Sequence, residues 1–221
     1  MKMSHPIYSV MITLSYIGAM GFIFVYRQSA AANQVTDSEI LLFELQDVVY
    51  IAFLFLPVLL SLFIIANSKD NTVFIFLFGD MKKYFLYKMI HIGVVAVYIS
   101  FISSICAAIV LKSDWEYQLL FSVIIFLFSF QVLLFFLLLR SFWKSNVLAV
   151  LLIIGLSFVE DQLNAYKNIA YYFYKSWFSA GQPLYLGDVI GGLLFLIGCI
   201  ALSSVLLYAQ FCNKRVIQYE S

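Results

Sequence analysis

The sequence predicts an all-α integral membrane protein of six transmembrane helices, with its N- and C-termini cytoplasmic. Composition, the spacing of the charges and the distribution of the basic residues carry that prediction. Of 221 residues, 64% are hydrophobic and only 11% are charged, where a soluble domain carries about 25% charged residues. The chain has 23 Phe and 15 Tyr against 12 Asp plus Glu, too little polar surface to cover a water-soluble core of this size. A soluble enzyme, a disordered chain and a nucleic-acid-binding protein are excluded on this ground.

The charges divide the chain into spans. Residues 3–26, 48–68, 89–111, 117–139 and 189–213 hold no Asp, Glu, Lys or Arg. Each run exceeds the roughly 20 helical residues that cross a hydrocarbon core. The predicted spans are about 7–26, 48–67, 87–111, 118–139 and 189–210. A sixth run, 145–159, has 15 residues and rises only about 22 Å as a helix. With Lys144 snorkelling at one end and Glu160 at the opposite surface, it makes a short fifth span, 146–160.

With the N-terminus inside, Lys2, Lys69, Lys82, Lys83, Lys88, Arg140, Lys144, Lys214 and Arg215 are cytoplasmic. Arg27, Lys112, Lys167 and Lys175 are then outside, a nine-to-four bias of the kind that sets topology. Lys2, the first apolar run and Ala30 to Ala32 resemble a signal peptide. The run is longer than the 7–15 residues of a signal core, so it is predicted to stay as the first span.

Between the spans, Thr36 and Glu39 have capping-box spacing, which starts a helix at Asp37 that continues into span two. Pro57 predicts a kink near the middle of that span. The next loop carries six apolar residues, Val73 to Phe78, followed by Gly79, Asp80, Lys82 and Lys83. Six residues cannot span, so a short helix ending at Gly79 either lies on the inner surface or is buried against a cytoplasmic partner. On span three, Gly93, Ala96, Ser100, Ser103 or Ser104, and Ala107 form a small-residue face for close helix packing. Lys88, at its inner end, is predicted to snorkel. His91, one turn on, and Gln131, in the middle of span four, either line a pathway or serve packing. Residues 160–188 crowd Tyr166, Tyr171, Tyr172, Phe173, Tyr174, Trp177 and Phe178 together. Such aromatics prefer the membrane interface, which predicts a re-entrant or interfacial outer segment. Glu160 and Asp161 open it, either as part of an outer gate or exit or as helix caps. Cys106, Cys199 and Cys212 read as small buried side chains.

The sequence holds no HExxH, no phosphate-binding glycine loop and no Cys-x-x-Cys. Ser157, after Gly155 and Leu156, resembles an intramembrane protease nucleophile. The only spanning base, His91, lies near the opposite end of its helix, roughly 10 Å away in depth by helical rise.

Taken together, the order of parts resembles the membrane permease subunit of type-2 ABC exporters (the ABC-2 class). In that family the loop after span two runs from Asn-Thr through an apolar stretch to a Pro- and Ser-containing turn, an Arg and a later Lys. Here Asn71-Thr72 leads Val73 to Phe78, then Asp80, Lys82-Lys83 and Lys88; the Pro and Ser are absent. Phe211, Lys214 and Arg215 loosely match the family's closing Phe-x-Lys-Arg. The resemblance implies one permease domain over residues 1–221 and a cytoplasmic coupling segment at 70–83. Phe74, Phe76, Phe78, Gly79, Asp80, Lys82 and Lys83 would dock there onto a separate ATP-binding cassette ATPase. It implies no catalysis and no cofactor in this chain, since ATP and Mg would bind that partner. It further implies a second permease chain, identical or paralogous, and a multi-pass place in the cell membrane. The implied substrate is a hydrophobic or amphipathic peptide, such as a toxin, bacteriocin or antimicrobial peptide, in export or immunity. Export of a lipid or small hydrophobic drug stays open, as does a non-transporting receptor or assembly factor; an intramembrane protease lacks its chemistry.

The topology has a direct check. Cysteines placed at Asn33 and Gln182 are expected to react with an impermeant thiol reagent on intact cells, and one at Asn71 to stay unlabelled.

Overall fold

The computed structural model describes residues 5–30, 36, 37, 40, 49–67, 81–143, 145–167 and 186–219. Among the described residues there are six helical rods and no strand. They are α1 (His5–Ala30), α2 (Leu56–Ala66, entered through a π-helical stretch, Tyr50–Phe55), α3 (Met81–Val110), α4 (Trp115–Trp143), α5 (Asn146–Lys167) and α6 (Leu186–Tyr219). Three stretches, Pro6–Ala30, Lys82–Val110 and Trp115–Trp143, are long and apolar enough to cross a membrane. The apolar parts of the other rods, Tyr50–Ala66, Asn146–Val159 and Leu196–Phe211, are shorter.

Contacts at the two ends show that consecutive rods alternate in direction. At one end the Asp37 carboxylate, beyond α1, accepts the Gln28 amide at 3.3 Å and the backbone N–H of Lys112, beyond α3, at 2.7 Å. At the other end Asn67, closing α2, meets Lys88 early in α3, and Ser141 late in α4 meets Gln210 late in α6. The first is the predicted outer end and the second the predicted cytoplasmic end.

α4 occupies the centre. Its sequence is almost wholly Leu, Phe and Ile, and a helix apolar all round can be satisfied only by neighbours on every side. Gln131 to Leu134 and Phe136 to Leu139 are buried without a break. α3 lies against it on one side, α6 on another, and α5 also packs on it. The small residues of α3 are turned into the bundle, as their spacing predicts: Ala96, Ser100, Ser103 and Ala107 are all buried. A β-carbon on Gly93 would sit 3.7 Å from the Phe130 ring.

The described rods are apolar outside as well as inside, unlike those of a water-soluble protein. On α3, Val94, Val97, Phe101, Ile105 and Ile109 are exposed while its serines point inward. On α1, Tyr16, Met20 and Phe24 are buried at four-residue steps and Leu14, Ile17 and Phe22 are exposed. On α6, Leu196, Ser203 and Leu207 face in, and Ile197, Leu202 and Val205 face out. Such an outer surface suits hydrocarbon.

Two elements add detail to the expectation. The kink predicted at Pro57 is accommodated in the turn before it. Proline lacks an N–H and its ring crowds the carbonyl four residues back, that of Phe53. The backbone there is widened to π geometry, with the Leu56 N–H bonded to the Ile51 carbonyl. α5 also passes the predicted end of span five. Glu160 and Asp161 lie within one 22-residue helix that continues to Lys167, so the first two turns of the predicted outer segment extend that helix. Charge limits how much of a helix lies in lipid, but Glu, Gln, Leu and Ala remain good helix formers. Residues 168–185 of that segment lie outside the described residues.

The small-residue face makes a testable demand. Ala96→Leu, at a position with 0% exposure, is expected to lower stability in detergent by about 1–3 kcal/mol through overpacking. Val97→Leu, one residue on and 56% exposed, is expected to leave the melting temperature nearly unchanged.

Candidate functional site: hydrogen-bonded seams within the bundle

Several seams between rods are marked by polar side chains that find partners inside the bundle. Between α1, the π stretch and α3, the Tyr16 hydroxyl lies 3.0 Å from the Tyr50 hydroxyl and 2.8 Å from Ser103 Oγ. Ser103 in turn donates to the Ile99 carbonyl of its own helix at 2.8 Å. Tyr16 is wholly buried, and leaving a hydroxyl unpaired there would cost roughly 1–3 kcal/mol. Thr13 and Tyr98 pair nearby at 3.0 Å. The α3–α4 seam is joined by Ser100 donating to the Ser122 carbonyl at 2.7 Å and by the Ser104–Ser122 hydroxyl pair at 2.6 Å.

Gln131 belongs to the α4–α6 seam. Its Nε2 donates to Ser203 Oγ at 3.2 Å, and its Oε1 is buried without a partner among the described residues. Toward the predicted cytoplasmic end the same seam is closed by Ser141 donating to the Gln210 carboxamide.

At that end the structure corrects the expectation for Lys88. Its ammonium does not snorkel outward; the residue is 3% exposed, and Nζ donates to Asn67 Oδ1 at 2.9 Å. Asn67 is preset to receive it. It closes α2 with its backbone N–H on the Phe63 carbonyl at 2.9 Å and its side-chain Nδ2 on the same oxygen at 3.0 Å, which turns Oδ1 toward α3. The Tyr84 ring, one turn before Lys88, lies 5.5 Å from Nζ and adds a cation–π contact. Lys88 is the only charged side chain in the buried set among the described residues. Asn67 and Lys88 lie on either side of residues 68–80 in the chain, so this bond ties together the two helices that flank them.

The other predicted site residues divide as follows. Phe74, Phe76, Phe78, Gly79 and Asp80 lie outside the described residues. Lys82 and Lys83 are exposed in the first turn of α3. Glu160 and Asp161 are placed by backbone only, within α5. His91 is half-buried beside the rings of Phe63 (6.4 Å) and Tyr87 (5.8 Å). His91 and Gln131 therefore face different seams, toward α2 and toward α6. Ser157 is buried and donates to the Ile153 carbonyl of its own helix at 3.1 Å. No group of three potential metal ligands occurs among the described residues. Sequence reading passed over Tyr16, Tyr50 and Asn67. The available signal was a tyrosine in the middle of span one, far from the interface that tyrosines favour.

Comparison with known proteins finds no matching family model, no similar curated protein and no similar solved structure.

The Lys88–Asn67 bond is testable by a double-mutant cycle. Asn67→Ala removes the Oδ1 acceptor from a buried ammonium and is expected to cost about 2 kcal/mol of stability in detergent. Lys88→Met removes the charge together with its desolvation and is expected to cost less. In the Lys88→Met background, Asn67→Ala is expected to lose most of its effect.

Proposed function

We propose that the chain is the membrane-embedded permease subunit of an ATP-driven exporter of the ABC-2 class. On this reading all six rods span the cell membrane, with both termini in the cytoplasm. The substrate class is a hydrophobic or amphipathic peptide. The apolar outer surface and the alternating direction of the rods support membrane insertion. The observation that carries the coupling role is the Lys88–Asn67 bond at the root of loop 68–80.

ATP and Mg bind the partner ATPase, which docks on residues 70–83. A push on the loop then reaches α2 and α3 together, because its two stems are joined inside the bundle. From α2 it passes through the widened turn at Tyr50–Phe55, a part of the rod with altered hydrogen bonding, and on to Tyr16 of α1. Glu160 and Asp161, in the predicted outer half of α5, serve as the gate or exit for substrate, and Gln131 and His91 offer polar contacts within the bundle. A second permease chain completes the pathway.

The test is on the loop itself. Changing Phe74 and Phe78 together to Ser is expected to release the cassette ATPase from the purified complex while the permease stays folded in the membrane. An ATPase that stays bound, with transport-coupled hydrolysis unaltered, would remove loop 70–83 as the coupling element and favour a receptor or assembly factor.

A further inference from the structure

α4 is covered unevenly along one of its faces. Leu119, Val123, Leu127, Phe130, Leu134 and Leu137 follow one another at steps of three and four residues, which places them on one side of the helix. From the predicted outer end inward, Leu119 is 61% exposed and Val123 38%, Leu127 and Phe130 are half-buried, and Leu134 and Leu137 are buried. Ser122, bonded to α3, and Gln131, bonded to α6, lie on opposite flanks of that strip. At the inner end α3 and α6 touch each other, Tyr84 on Phe211 at 5.5 Å and Phe85 on Tyr208 at 5.3 Å. Toward the outer end the α6 residues in line with Tyr208, Ala201 and Ile197, are exposed, as are Val97 and Phe101 on α3. The result is a wedge: α3 and α6 part toward the outer end and leave a strip of the central helix uncovered between them.

The uncovered strip is apolar and its depth matches one leaflet. Leu119 to Phe130 rises about 16 Å as a helix, against about 15 Å for half of a hydrocarbon core. Trp115, 73% exposed one turn before Leu119, marks the headgroup level. The bordering hydroxyls of Ser100, Ser104 and Ser122 each donate to a helix carbonyl. An extended peptide would bring backbone groups that need partners in hydrocarbon; an acyl chain brings none. A helix of a second copy is a rod about 10 Å wide and does not follow a space that narrows to nothing at Leu134. At the mouth Lys112, Asp114 and Glu116 are exposed, which suits a headgroup carrying both charges better than an anionic one.

We infer that the wedge between α3 and α6 holds one acyl chain of a zwitterionic phospholipid from the leaflet at the predicted outer side, laid against α4 from Leu119 to Phe130. The contacts of Tyr84 and Phe85 with α6 stop the chain from passing further inward. The inference rests on the proposed place of the bundle in the membrane and not on the transport role.

The experiment is photolabelling of the full chain in liposomes of phosphatidylcholine that carries a diazirine along one acyl chain, with the labelled residues mapped by mass spectrometry. Label is expected on Leu119, Val123 and Leu127 of α4. It is also expected on Leu14 and Phe22 of α1, whose exposed face reports contact with the bilayer whatever lies in the wedge. Leu134 and Leu137 are expected to stay unlabelled. Ala201→Trp, at an exposed position on the wall of the wedge, is expected to abolish the α4 label and leave that of α1 unchanged. Label on α1 without label on α4 in the wild-type protein would overturn the inference, whether a second copy or a peptide covers the strip. No label on either helix would overturn it together with the membrane placement. Equal label on Leu134, Leu137 and Leu119 would overturn it as well, as would an α4 label that survives Ala201→Trp or stronger α4 labelling by the phosphatidylglycerol form of the reagent.

Discussion

Hydrocarbon offers no hydrogen-bond partners, and the inward pairing of polar side chains in this bundle suits that single constraint. In the proposed bilayer setting a backbone carbonyl or a serine hydroxyl turned outward would stay unsatisfied, at a cost of several kcal/mol. The serines of the described helices accordingly return their hydroxyls to a carbonyl one turn back, as Ser103, Ser104, Ser129 and Ser157 do. Polar side chains with longer reach are turned toward a neighbouring rod. The same requirement explains the widened turn before Pro57, where the missing N–H of proline disturbs the helical ladder and the chain finds another pairing.

Magnitudes separate the roles of these contacts. A hydrogen bond between helices in a membrane averages only about 0.6 kcal/mol. Pairs such as Gln131–Ser203 and Ser104–Ser122 therefore set which faces meet more than they hold the bundle together. Cohesion comes from the close packing of the central α4 against α3 and α6, where small residues let the backbones approach. Lys88 is the exception in scale. A buried ammonium has a larger desolvation cost than any neutral group here, so its acceptor on Asn67 constrains the two helices around loop 68–80 more than any serine pair does.

Much of the fold was legible in the sequence. The charge-free runs locate the six rods, because a charged side chain is costly in hydrocarbon and the gaps between charges match helical spans. The inward face of α3 was legible too, since a stripe at Gly93, Ala96, Ser100, Ser103 and Ala107 has a local period. The rest was hidden for specific reasons. Tyr16 meets Ser103 across 87 positions, and no local pattern encodes such a pairing. The long stem of Lys88 can carry its amine either to the surface or into the bundle, and only the place of Asn67 decides between them. The continuity of α5 to Lys167 was not legible from span length, because Glu160 and Asp161 interrupt apolarity without interrupting the helix.

The central claim is that the rods keep their few polar side chains inside the bundle and turn apolar faces to lipid. Site-directed spin labelling along α3 from Val94 to Ile109 in liposomes tests it most directly. Oxygen, which concentrates in hydrocarbon, is predicted to collide most with labels at Val94, Val97, Phe101 and Ile105. Labels at Ala96, Ser100, Ser103 and Ala107 are predicted to be protected from oxygen and from a water-soluble relaxant alike, giving a profile with helical period. High oxygen accessibility at the serine face, or access of the water-soluble relaxant to Val97 and Phe101, would contradict the account.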